Sequence, residues 1–236
     1  MACAACLVPA VCAGAATPEA LSETLAGSGM TTTVRLLVGL SLLGFVPAAL
    51  IAMTSFTRIV VTLAFLRHAL GMPETPPNAV LITLAGFLTF FTMAPVLETG
   101  YAQGVAPFLD GRLGGAVAFE RASAPLRRFM ASHVREDDLA TVAELAHVTL
   151  DGSAEGASLR LLAPAFMLSE LRAAFVAGFL IFLPFLLIDL VVAAVLMALG
   201  MMMVPPVSIS LPLKILLFVL IDGWSLLLRA IAGAYA

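Results

Sequence analysis

Four stretches of this chain, residues 36–53, 79–97, 161–204 and 211–231, are long and mostly apolar. About 20 such residues in helical form cross the hydrocarbon core of a bilayer. In that medium every backbone N–H and C=O must find its partner inside the segment, so the runs are read as helices. A water-soluble fold is excluded by the same feature. Hydrophobic residues make up 61% of the 236 and charged residues only 11%, against roughly 25% charged in an ordinary globular domain. Lipid or partner chains must cover that surface. The net charge of −3 argues against a polyanion partner, and no nucleic acid is expected to bind.

The punctuation between the runs gives a topology. Pro73, Pro76 and Pro77 close the first pair, and Pro205-Pro206 the second, because proline cannot continue a helix. The first run is interrupted at Thr54-Ser55-Phe56-Thr57-Arg58 and resumes before Arg67-His68. The sequence therefore predicts an all-α membrane protein of two long apolar helical hairpins, residues 34–97 and 161–236. A polar, partly helical extracytoplasmic segment, residues 98–160, joins them. Within it, residues 117–133 and 136–148 have amphipathic helical spacing, and the second begins with acids that suit a helix N-terminus.

Residues 1–33 read as a signal peptide and flexible N-terminus. Residues 2–16 are small and apolar, and Ala13-Gly14-Ala15 has the A-x-A form of a cleavage site. Cys3, Cys6 and Cys12 all fall there. Cys3 and Cys6 have the C-x-x-C spacing, but no second ligand pair exists for zinc. A cleaved leader followed by four spans places both termini and the central segment outside.

Four ionisable residues stand within the apolar runs: Arg58, Asp189, Lys214 and Asp222. Each costs roughly 2.5–3.5 kcal/mol at a helix centre unless it is paired or hydrated. Lys214 and Asp222 lie about two turns apart, too far to pair within one helix. Asp189, on the neighbouring arm or another subunit, is the better partner for Lys214. Two roles stay open for these charges, subunit packing or a proton path.

Met201, Met202 and Met203 precede the second proline turn and are expected at its tip. They read as interfacial packing or as a deformable apolar constriction around a pore. No Walker A, G-x-S-x-G or H-E-x-x-H pattern occurs. No enzyme activity, cofactor or metal is expected, and His68, His133 and His147 are isolated.

The residue strings themselves resemble a known family. Met53-Thr54-Ser55-Phe56-Thr57-Arg58-Ile59, Thr75-Pro76-Pro77-Asn78 and Phe87-Leu88-Thr89-Phe90-Phe91 are similar to the first hairpin of the FliP family of type III export-gate proteins. Pro164-Ala165-Phe166-Met167-Leu168-Ser169-Glu170-Leu171, Ile188-Asp189-Leu190, Ile209-Ser210-Leu211-Pro212 and Asp222-Gly223-Trp224 continue the likeness over residues 50–228. Pro205-Pro206 and Pro125-Leu126-Arg127 with Phe129-Met130 resemble the flagellar branch more than the injectisome branch. The resemblance implies a core pore subunit of the flagellar export gate in the bacterial inner membrane, within the flagellar basal body. It implies a helical oligomer of five copies wound with FliQ-like and FliR-like subunits, through which unfolded secreted proteins pass. It also implies a gasket at Met201, Met202 and Met203. The homologous injectisome subunit and a small proton- or ion-coupled transporter using Asp189, Lys214 and Asp222 are the alternatives.

Overall fold

The computed structural model describes residues 51–148, 156–201 and 203–235, with isolated positions between 34 and 48. The expected leader, its cysteines, most of the first apolar run and Met202 lie outside the described residues. The chain divides into a unit ending at Ala49 and a unit from Leu50 onward. In the first, the described positions are helical. The second is all helix among its described residues. It contains α1 (Phe56–Ala69), α2 (Asn78–Gly100), a π-helical turn (Tyr101–Val105), α3 (Ala106–Leu109), α4 (Gly115–His133), α5 (Glu136–Leu145), α6 (Leu159–Ala198), α7 (Val207–Leu220) and α8 (Gly223–Gly233).

The 40-residue α6 organises the rest. At 1.5 Å per residue it is about 60 Å long, twice the thickness of a hydrocarbon core. One part of it packs with the polar segment. Leu161 and Ala165 meet Leu139 of α5, and Leu162 and Phe166 meet Phe129 and Met130 of α4 with Met93 of α2. The rest belongs with the apolar helices: Phe185 packs with Ile59, Leu63 and Leu66 of α1, Leu81 and Ala85 of α2, Phe218 of α7 and Leu227 of α8.

Two continuous helices, 78–109 and 159–198, are long and apolar enough to span a membrane, and α7 with α8 makes a third if the bent pair is one span. Only 17% of either long span's most apolar window is buried within the chain. Phe87, Phe90, Phe91, Phe179 and Leu190 all point outward. The described residues leave these faces uncovered, and apolar surface of that extent calls for lipid or further protein against it.

The fourth run departs from expectation. Residues 211–231 read as one uninterrupted stretch, but α7 and α8 meet at a 65° bend. Asp222 sits at the bend in the left-handed region (φ 49°). Short polar side chains tolerate that region better than branched apolar ones. The Phe218 ring lies 2.2 Å from where a Cβ on Gly223 would stand, so position 223 must be glycine for the corner to close.

At Gly178 α6 packs tightly against α1. A Cβ there would lie 2.4 Å from the Phe65 ring and 2.9 Å from Phe65 Cβ, and Phe65 is itself held edge-on against Phe175 at 5.1 Å. Gly178→Ala should therefore destabilise the protein by about 1–3 kcal/mol through overpacking. Gly86→Ala meets open space and should be neutral or stabilising by up to about 1 kcal/mol. Thermal unfolding followed by circular dichroism in detergent separates them, and equal shifts would refute the packing argument.

Candidate functional site

Polar side chains meet the apolar framework in three clusters, two of them in the part of α6 that packs with the polar segment. At the first, Arg58 of α1 reaches Glu170 of α6, Nη2 to Oε1 2.7 Å, and the Glu170 side chain is fully buried. The Tyr235 hydroxyl donates to the other carboxylate oxygen. The Arg58 guanidinium lies 4.6 Å from the centre of the Tyr235 ring, a cation–π contact that is strengthened where water is excluded. Tyr235 stacks on Phe129 of α4 at 6.0 Å, with His133 5.3 Å away. Burial, and then the adjacent Glu170 carboxylate, push the Tyr235 phenol above its ordinary range. Arg58 from α1 and Tyr235 from beyond α8 thus meet at one carboxylate of α6, with α4 packed against Tyr235.

One residue before Glu170, Ser169 organises the second cluster. Its hydroxyl donates to Asp138 Oδ2 at 2.7 Å and accepts from the Arg135 backbone N–H at 3.0 Å. The Arg172 guanidinium stands 3.0 Å from Asp138 Oδ1. Asp138 is fully buried, so α5 is fastened to α6 by a neutralised charge.

The third cluster joins α6 to α7: Lys214 Nζ lies 2.6 Å from Asp189 Oδ2. The lysine side chain is 7% exposed and the aspartate 39%. Their pairing occurs inside one chain, between neighbouring arms. The Ser210 hydroxyl of α7 faces the same carboxylate.

Asp222 joins none of these clusters. The sequence places it among the buried charges, but in this chain it is exposed, at the start of α8. There its backbone carbonyl accepts from Leu226 N–H at 3.1 Å. A carboxylate at a helix N-terminus is favoured by the dipole, which gives this charge a local reason to sit at the bend.

Methionines 201 and 203 occupy the turn between α6 and α7. Gly200 has φ 76°. Its N–H donates to Met197 O at 3.0 Å, and Met201 N–H donates to Leu196 O at 2.9 Å. This is a Schellman close, in which glycine takes the left-handed position. It ends α6 immediately before the methionines, leaving Met203 95% exposed. No group of His, Cys, Asp or Glu suited to a metal ion occurs among the described residues.

Of the residues singled out from sequence, Arg58, Asp189 and Lys214 are found in ion pairs. Glu170, Asp138 and Tyr235 were missed. Glu170 carried a visible signal, a carboxylate inside an apolar run. Asp138 looked like one of three acids in the first turn of α5. Only tertiary contact separates it from exposed Glu136 and Asp137.

Comparison with known proteins gives a consistent result. A model of the FliP family matches residues 39–231. The flagellar biosynthetic protein FliP of Pectobacterium carotovorum is 53% identical over 209 residues, covering 89% of this chain and 81% of that protein. Its counterpart in Caulobacter vibrioides is 51% identical over 209 residues, with 88% and 77% covered. The counterpart in Bacillus subtilis is 46% identical over 206 residues, with 87% and 93% covered.

Breaking a buried pair from one side leaves an uncompensated charge, which costs about 3–5 kcal/mol. Glu170→Leu should therefore abolish most cooperatively folded protein in detergent. The double variant Arg58→Leu/Glu170→Leu should recover a large part of the loss. Equal damage in both would show that the ion pair is not what holds α1 on α6.

Proposed function

The chain belongs to the FliP family, and from that premise we propose that it is a core pore subunit of the flagellar protein export gate. It is a non-enzymatic subunit of a conduit for unfolded flagellar proteins. Five copies wind with FliQ-like and FliR-like subunits into a helical assembly in the bacterial inner membrane, at the flagellar basal body. Met201, Met202 and Met203 form the gasket that limits leakage around the moving chain.

The observation that carries this reading is the turn between α6 and α7. Met203 is almost wholly exposed and Met201 is 43% exposed, at the tip of two apolar helices. Flexible, polarizable side chains in a ring of such tips conform to passing polypeptides of different sequence, while an apolar constriction resists wetting. The weakly covered spans support the same reading, because they leave broad apolar faces for neighbouring subunits. The compared relatives are named as flagellar biosynthetic proteins, which favours the flagellar system over the injectisome.

The transporter alternative needs Asp189, Lys214 and Asp222 to act along one path. Asp189 and Lys214 already neutralise each other, and Asp222 stands apart at a helix break, so a packing role for the pair is the better supported reading. Replacing Met201, Met202 and Met203 with serine should raise leakage of small ions through the assembled gate several-fold, measured as conductance in planar bilayers. Unchanged conductance in a correctly assembled complex would sink the gasket role. Asp189→Asn with Lys214→Met should reduce assembly. If assembly is intact and export loses its dependence on the proton gradient, the relay reading replaces it.

A further inference from the structure

α8 is fixed at its two ends and loosely seated between them. At its start the chain turns through 65°, with Asp222 in the left-handed region and the Phe218 ring against Gly223. At its far end Ala234 N–H donates to Ile231 O and Tyr235 N–H to Ala232 O, which carries the helical turn on to Tyr235. That side chain therefore moves with the helix. Its hydroxyl donates to Glu170, and its ring lies 4.6 Å from the Arg58 guanidinium.

Between these ends α8 buries Gly223, Leu227 and Ile231. Two open grooves, of about 250 and 260 Å³, run between α8 and α6. The first lies beside the corner, at Pro184 and Gly223. In the second, beside Arg58, Ala230 and Ala234 of α8 stand across from Ala173 and Ala177 of α6. Close-packed interiors leave few voids larger than a water molecule, so α8 is not pressed down on α6 along its length. Leu227 and Ile231 hold it weakly for a second reason. Lipid tails are as apolar as leucine, so apolar side chains in a bilayer gain little by leaving lipid for protein. A hydrogen bond to a carboxylate is about twice as strong as a neutral one, and hydrocarbon supplies no donor to replace it.

We propose that α8 is a hinged strap: it pivots at Asp222–Gly223 and is held closed by the Tyr235 hydroxyl on Glu170. A glycine at the end of an element can absorb the large change in φ and ψ that a pivot requires. Arg58 stays on Glu170 when the strap lifts, so the buried carboxylate keeps its counter-charge. Closed, α8 covers Ala173 and Ala177; open, it bares them. From Gly223 to Tyr235 is about 20 Å of helix, and a swing of about 30° carries Tyr235 roughly 10 Å. The strap is a property of one chain and does not depend on the pore role proposed above.

The test places spin labels at Arg128→Cys of α4 and Ala232→Cys of α8, both exposed positions. It uses the full chain with Cys3, Cys6 and Cys12 changed to serine, reconstituted at one copy per lipid nanodisc. Pulsed electron–electron double resonance then gives the distance distribution between the labels. With Tyr235 present, almost all chains should fall in the short-distance population. Tyr235→Phe keeps the ring and its stacking and removes the hydroxyl alone. It should enlarge a population longer by roughly 10 Å at least tenfold, the worth of a hydrogen bond to a charged group. Leu227→Ala, which trims the apolar anchor, should enlarge it less than threefold. An unchanged distribution in Tyr235→Phe would overturn the proposal. So would opening in Leu227→Ala equal to that in Tyr235→Phe, which would show that apolar packing holds α8 in place.

Discussion

A carboxylate withdrawn from water must be neutralised by groups that the fold brings to it, and position 170 shows how much structure that requirement fixes. Glu170 is fully buried, and an isolated ionised carboxylate in apolar surroundings is prohibitively expensive. Arg58 and Tyr235 both meet it. Arg58 comes from α1, Tyr235 follows α8, and the aromatic pair Phe129 and His133 that flanks Tyr235 belongs to α4. One desolvated charge therefore sets the relative positions of the two apolar hairpins and the polar segment. Asp138 does the same on a smaller scale for α5. These pairs add little net stability compared with well-packed apolar residues of the same volume. Their effect is on register, since sliding α6 by one turn would strand both charges.

Length explains why such clusters sit on α6. A helix of about 60 Å cannot lie wholly in a hydrocarbon layer of about 30 Å. Its first part needs a protein environment that tolerates polar groups, and its last part needs an apolar one. The Ser169, Glu170 and Arg172 contacts fall in the first part, and from Ala173 to Ile188 the helix carries no charge. The change of solvent is thus written along one element. The same continuity makes the polar segment, which the sequence presents as the piece joining two hairpins, part of the framework of the apolar helices.

What was legible in the sequence is what local physics determines. The amphipathic spacing at 117–133 and 136–148 matches α4 and α5 within a few residues, because alternation of polar and apolar residues reports burial directly. The prolines and Gly200 mark the hairpin turns for equally local reasons. The missed features are non-local. The bend at Asp222 depends on a ring from Phe218 occupying the space beside Gly223. The burial of Asp138 depends on Ser169, 31 residues later in the chain. Nothing in the neighbouring residues distinguishes Asp138 from an exposed first-turn acid. The methionines were legible as a loop because glycine and prolines bracket them, but their exposure is a tertiary fact.

The pattern of satisfied and unsatisfied polar groups separates the parts of the molecule that act alone from those that need company. The carboxylates of Glu170 and Asp138 meet opposite charges within the chain, so the charges at the joint between apolar helices and polar segment are paired in a single copy. The long apolar faces are incomplete, with most of each span uncovered. The proposed pore subunit would have these needs. Its charged joint must be rigid enough to hold the Met201 and Met203 turn at a fixed height, while its apolar sides accept neighbours and lipid by packing, which is adaptable. A carrier that cycles protons would need the reverse, a charge that changes partners during turnover. Asp189 comes nearest to that description, since its side chain is 39% exposed where those of Glu170 and Asp138 are fully buried. Lys214 counters it: its ammonium lies 2.6 Å from Asp189 Oδ2 and ties α6 to α7, which supports reading the pair as a clasp over reading it as a carrier site.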